Sequence, residues 1–188
     1  MTCPTTCRLA GWRATLRRGA TLDESLQVCL AGTATALGRG SLDAVLAGTG
    51  DDAIEDVEVV VRSALGATAD DVLAADGYLL GSTANFGYVS GALKHFFDST
   101  FLQIGGSLSS TGAADESSGR TTGRPFGLYV HGRYDTSGAV RSVLSIVAAL
   151  GWTQGYDVLE VLGDVGSTDL SAAYDLGGTL AALVAVNQ

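Results

Sequence analysis

A chain of 188 residues has the size of one domain and can bury a core without disulfides or metals. Its apolar share of 46% and charged share of 16% exclude a disordered chain. With 11 basic and 20 acidic residues it carries −9, which argues against nucleic acid as a partner because an acidic chain repels phosphate backbones. No run of about 18 consecutive apolar residues is present, so a membrane-spanning helix is not expected.

The charge is uneven. Residues 1–22 hold Arg8, Arg13, Arg17 and Arg18 and no acid, so the rest carries −13 from 7 basic and 20 acidic residues. No apolar stretch of 7–15 residues accompanies these arginines, so a secretory signal is not expected. Residues 1–25 read as a disordered extension or an over-long translation start, and 26–188 as the folded domain. Cys3 and Cys7 lie in the extension without a nearby histidine or a second cysteine pair, a poor zinc site. Cys29 sits in an apolar run as a small hydrophobe. An odd cysteine count without a signal predicts a reducing, cytoplasmic location.

Apolar runs then alternate with helical periods. Residues 26–31 (LQVCLA) form a buried strand. Residues 32–40 are a loop of small residues, and Ser41 caps a helix to about residue 47. Residues 57–61 (VEVVV), strongly β-branched, are the second strand. A short helix over 69–75 begins on Asp70 and Asp71, as its dipole favours. Residues 77–81 (GYLLG) are the third strand. Val89, Leu93, Phe96, Phe97 and Phe101 then fall on one helical stripe. Residues 102–124, rich in Gly, Ser and Thr, form a long loop of the kind that serves function or lacks order. Residues 126–130 are the fourth strand. Val140, Val143, Leu144, Val147 and Leu150 make the next helix, stopped by Gly151. Residues 156–162 are the fifth strand, and Leu170, Ala173, Gly177, Leu180 and Val184 mark the last helix. Five strands, each followed by a helix, predict a three-layer α/β/α sandwich on a parallel sheet.

Such sheets bind ligands beyond the carboxyl ends of their strands. The loops after strands one, three and four read AGTATALGRGS, GSTANFGYVSG and HGRYDTSGA. The first has neither a dinucleotide G-x-G-x-x-G nor the lysine of a nucleotide P-loop. Its Thr33, Thr35 and Ser41, with Arg39 close by, suit one phosphomonoester held by hydroxyls and helix amides, and equally suit an ordinary helix cap.

Residues 76–98 (DGYLLGSTANFGYVSGALKHFFD) resemble the signature of the NADPH-dependent FMN reductase and flavodoxin-like family, with Gly81, Asn85, Phe86, Gly87, Ser90, Gly91, Lys94 and Asp98 at matching places. Residues 127–140 (GLYVHGRYDTSGAV) are similar to the fourth-strand end of actinobacterial flavodoxin-family proteins. The resemblance implies a flavodoxin-like sheet of strand order 2-1-3-4-5 and an FMN site. By that likeness Ser82, Thr83, Ala84, Asn85, Phe86, Gly87 and Tyr88 flank the flavin ring on one side, and His131, Gly132, Arg133 and Tyr134 on the other. Thr33, Thr35, Arg39 and Ser41 would hold the phosphate, and Tyr88 and Tyr134 would touch the ring. His131 reads as structural, Asp135 as a turn or cap residue, Lys94 and Asp98 as a surface pair, and Trp152 and the three phenylalanines as core.

Three functions follow from the resemblance. The first is an oxidoreductase passing hydride from NAD(P)H to FMN and on to a small-molecule or protein acceptor, with residues 102–124 as a lid or the arm of a homodimer. The second is a flavodoxin-type electron carrier whose acidic surface suits a basic protein. The third is a member that has lost FMN, since Ala36 stands where the family carries glycine. No catalytic acid–base pair and no metal are expected.

Overall fold

The computed structural model describes residues 15–16, 25–31, 36–54, 57–108, 114–115 and 119–186, with side chains for 40–54, 57–106 and 119–186. The chain runs through β1 (Thr15–Leu16), β2 (Ser25–Ala31), α1 (Ala36–Thr49), β3 (Glu58–Ser63), α2 (Ala69–Ala74), β4 (Gly77–Asn85) and β5 (Tyr88–Val89). It continues with α3 (Gly91–Thr100), β6 (Ser107–Leu108), β7 (Ala114–Asp115), β8 (Pro125–Gly132), α4 (Ser137–Ala149), β9 (Thr153–Gln154), β10 (Leu159–Leu162) and α5 (Ser167–Val186).

Five parallel strands lie in the order β3-β2-β4-β8-β10, the expected 2-1-3-4-5 arrangement. Three two-residue strands enlarge the expected sheet: β1 antiparallel on the outer edge of β3, β5 antiparallel to β4, and β9 parallel to β8. Strand β1 falls within residues 1–25, which by sequence offer no docking stripe; 1–14 and 17–24 lie outside the described residues. The central strand β8 is buried along its whole length, as a strand covered on both faces must be. Tyr78, Leu80, Phe126, Leu128 and Val130 pack against α2, α3 and α4 on one face. Leu79, Tyr129, Val59 and Val61 pack against α1 and α5 on the other, which completes the three layers.

The structure moves several sequence boundaries. Helix α1 starts at Ala36, five residues before the expected cap, so Ser41 lies inside the helix. Its glycines, which by propensity read as loop, are helical because α5 packs against them. A Cβ on Gly48 would lie 2.0 Å from the Tyr174 carbonyl oxygen, and one on Gly177 would lie 2.1 Å from that of Val45. Only glycine permits this approach. Strand β4 extends four residues beyond Gly81, and Val89 belongs to β5 rather than to the helix. Helix α3 begins after Ser90, whose hydroxyl accepts a hydrogen bond from the Leu93 amide at 3.2 Å. The fifth strand, expected over 156–162, is shortened to β10 at Leu159–Leu162, with β9 a separate pairing before it and residues 155–158 outside both. Gly151, at φ 69°, ends α4 in a left-handed turn whose following amide, Trp152 N, donates to Val147 O at 3.0 Å. Within 102–124, residues 107–108 and 114–115 pair as a short antiparallel hairpin.

A polar cluster ties this long connection to the core. The Trp152 ring stacks on Tyr78 at 3.9 Å, and its Nε1 donates to Thr121 Oγ1 at 2.8 Å. Thr121 in turn donates to the Ile104 carbonyl. Arg124 Nη1 donates to the carbonyls of Val72, Leu73 and Ala75 at the carboxyl end of α2, where helix carbonyls run short of helical partners. Helix α5 has the length and mean hydropathy, 1.2, of a membrane span, although polar residues interrupt its apolar runs. Its Ala173, Leu176, Gly177, Leu180, Ala181 and Val184 are instead buried in the domain.

The two adjacent glycines of α5 separate close packing from helix propensity. A Cβ on Gly178 meets its nearest neighbour, Gly48 O, at an ordinary 3.5 Å. Gly178→Ala should therefore hold or raise stability, by up to about 1 kcal/mol. Gly177→Ala should lower it by about 1–3 kcal/mol or more, because backbone cannot yield as a side chain does. Urea denaturation of both variants measures the contrast, and equal effects would mean that the helices are free to separate.

Candidate functional site

The carboxyl ends of the adjacent strands β4 and β8 form the candidate site. Strand β4 turns back into β5 through Phe86 and Gly87, with Ala84 opposite Val89 and Asn85 opposite Tyr88. Both turn residues have positive φ, 53° and 79°, the signature of a type I′ two-residue hairpin. Glycine adopts this conformation freely, whereas a bulky phenylalanine does so at a cost of about 1–3 kcal/mol. Phe86 is nevertheless 100% exposed, so no packing among the described residues offsets that strain.

The hairpin tip is seated on the turn that opens α4. A Cβ on Gly87 would lie 2.7 Å from Asp135 Oδ2, and one on Gly138 would lie 2.6 Å from the Gly87 carbonyl oxygen. Asp135 Oδ1 accepts from the Ser137 amide at 3.0 Å and from its hydroxyl at 2.7 Å. These bonds, the hydroxyl first, hold its carboxyl below the usual carboxylate range. Asp135 is thus the turn residue the sequence suggests. Its contact with Gly87 carries no sequence signal, because it depends on the neighbouring loop. Beside it Tyr134 is 90% exposed, and across the turn Tyr88 is 69% exposed. Three aromatic rings therefore stand in solvent on two adjoining segments.

The remaining predicted residues divide sharply. In register, Thr83 pairs with His131 and Ala84 with Gly132. Gly132 leaves no room for a side chain, with Ala84 Cβ, Asp135 O and Thr136 Cγ2 each 3.0 Å from a built Cβ. Arg133 reaches Asp164 at 3.7 Å, both largely exposed, and Asn85 is exposed. Ser82 is buried. Its hydroxyl donates to the Thr83 carbonyl and accepts from the Ser90 amide, which joins the base of the hairpin to α3. His131 is buried, and its Nε2 donates to Gly163 O at 2.7 Å, so it fixes the loop after β10. This side-chain bond accords with the structural reading of its ring in the sequence.

The phosphate group is less fully drawn. Thr33 and Thr35 lie outside the described residues, and so does the Arg39 side chain, whose backbone is in α1. Ser41 departs from the sequence reading: it is wholly buried in the interior of α1 rather than at its start. Among the described residues no group of three metal-ligating side chains occurs. Lys94 and Asp98 form the exposed ion pair expected of them. Glu160, whose Oε2 accepts from Thr136 at 2.5 Å, links β10 to the start of α4 and has no signal in the sequence.

No family model matches the chain, and no curated protein matches it. Solved structures do. A flavodoxin from the domain Archaea is similar at TM-score 0.66 and 16% identity, over 85% of this chain and 98% of that one. A flavodoxin of Streptococcus pneumoniae matches at TM-score 0.66 and 17% identity, over 85% and 99%. A flavodoxin, WrbA-like protein from Agrobacterium tumefaciens matches at TM-score 0.62 and 15% identity, over 85% and 96%. Together with the 2-1-3-4-5 parallel sheet and its three layers, these likenesses show that the chain has a flavodoxin-like fold.

Proposed function

We propose that this chain binds FMN at the carboxyl edge of its sheet and passes electrons from NAD(P)H through it to an acceptor. The observation that carries the reading is Phe86, a fully exposed aromatic in a left-handed turn, with Tyr88 and Tyr134 exposed beside it. Strain and exposed apolar surface together mark a ligand site. A flat aromatic ligand would cover these rings and remove their apolar surface from water.

The residues present fit the group. Tyr88 and Tyr134 supply ring faces, while Asn85 and the hairpin amides supply donors and acceptors for the polar edge of a flavin. Close packing at Gly87, Gly132 and Gly138 holds this edge rigid before the ligand arrives. Thr33 and Thr35, with Arg39, are the proposed phosphate partners. Bound FMN supplies the redox chemistry, so the protein's task is to bind and orient it. The net charge of −9 supports a second reading, an electron carrier that docks a basic protein partner. A cytoplasmic location accompanies either reading.

Flavin absorbance of protein reconstituted with FMN tests the common part, and a spectrum with no bound flavin would sink both readings. Oxidation of NAD(P)H by the loaded protein separates them, since a carrier without a nicotinamide site leaves the cofactor unoxidised.

The hairpin offers a sharper test. Phe86→Asn creates Asn-Gly, the favoured pair for this turn. The apo-protein should gain about 1 kcal/mol from relief of strain, while FMN binding weakens about tenfold through loss of the aromatic face. Thermal melting and flavin titration read the two effects. A stability gain with unchanged affinity would remove Phe86 from the site.

A further inference from the structure

The two edges of the main sheet differ. The outer side of β3 is covered by β1, which pairs with it antiparallel. The outer side of β10 has no strand beside it among the described residues. A strand left in that state is a template for another strand.

The backbone fixes which groups this edge offers. Gly163 N donates inward to Gly132 O, so the alternation of the strand also turns Val161 and Leu159 towards β8. The amides and carbonyls of Glu160 and Leu162 therefore point away from the sheet. Their side chains share the α4 face, where Glu160 Oε2 accepts from Thr136 and Leu162 is 56% exposed.

An open groove runs between this edge and α4, lined by Val140, Leu144 and Ala148 with Arg141 and Glu160. Val140 and Leu144 are partly exposed. Arg141 is exposed, and its guanidinium has no ion pair or hydrogen bond among the described residues. A groove that holds one cation and one anion beside apolar side chains is complementary to itself under a two-fold rotation.

We propose that this face joins two copies of the chain, β10 to β10 in antiparallel pairing about a two-fold axis at Val161. In that register Glu160 stands opposite Leu162 of the other copy, and their outward amides and carbonyls satisfy one another. The sheet then runs on from one copy into the other. The two α4 helices lie on the same face of it and cover Val140, Leu144 and Leu162. Arg141 of each copy meets Glu160 of the other, so symmetry matches both charges at once. A foreign strand could use the edge amides but carries no such built-in match. The two candidate sites lie at opposite ends of the shared sheet, so the inference is independent of the flavin reading.

Sedimentation velocity of the full chain from roughly 1 to 100 μM tests this, because dimers form by mass action. Wild type should reach twice the chain mass. Leu162→Pro removes an outward amide and no bond to β8, a change that edge strands tolerate, and it should abolish the dimer. Arg141→Glu, on the exposed face of α4, turns an attraction into a repulsion at two symmetric places. It should raise the dimer dissociation constant about tenfold or more. Thermal melting followed by circular dichroism checks that each variant folds. If Leu162→Pro does not fold, Leu162→Lys repeats the test with the backbone amide intact. Dimerisation lost in the folded variants supports the assignment, and so does its recovery when Glu160→Arg is added to Arg141→Glu. A wild-type chain that stays monomeric overturns it, even where a strand-forming peptide binds this edge. A dimer that the folded variants leave unchanged also overturns it, the result expected if residues 102–124 form the arm between copies.

Discussion

Backbone touches backbone where α1 crosses α5, and the α1/α5 layer depends on that contact. Gly48 and Gly177 each face a carbonyl oxygen of the opposing helix at a distance no side chain could share. Helices usually keep their axes about 8–10 Å apart because side chains intervene. Here the side chains are absent on both sides, so the two helices bury their stripes together against β3, β4 and β8. Gly40 continues the contact towards the start of α1, 3.5 Å from Leu170. This tertiary contact turns a glycine-rich stretch of poor helix propensity into helix from Ala36.

The opposite layer is held by different means. There Trp152, Tyr78, Thr121 and Arg124 form a joined aromatic and hydrogen-bonded cluster that binds the long connection to the end of α2. Rigid packing on both faces leaves the loops at the carboxyl edge to carry the strain. Among the described residues the positive-φ strain falls on Phe86, in a turn pinned from below by Asp135 and Gly138. An exposed ring held in a costly conformation by its neighbours is preorganised, so a ligand that covers it need not bear the cost of ordering the loop.

The groups at this edge suit the proposed flavin site. Its one histidine is tied to Gly163 O, and its aspartates are engaged at Ser137 and near Arg133. Rings, amides and hydroxyls remain to hold and orient a ligand. This arrangement suits a cofactor that carries its own reactivity, in which the protein supplies geometry and a polar frame.

By itself the sequence determined the class of fold. Strong β-branched runs and helical stripes are local signals, and their strict alternation admits few topologies, so the parallel order and the core assignments of Phe96, Phe97 and Trp152 were legible. The aromatic loop was legible as well, because Phe86, Gly87, Tyr88 and Tyr134 stand beside strand ends in a family-like pattern. Only the tertiary structure decided the start of α1, the extra short strand β9 before Gly155, and the hydrogen bonds of Ser82. Each depends on a neighbour remote in sequence: α5 for the glycines, Leu180 and Leu183 for Gly155, and Ser90 for Ser82. It also decided that Thr83 and Ala84 face opposite layers. Adjacent residues in a strand must diverge, but which one meets which layer is settled by the helices that pack there.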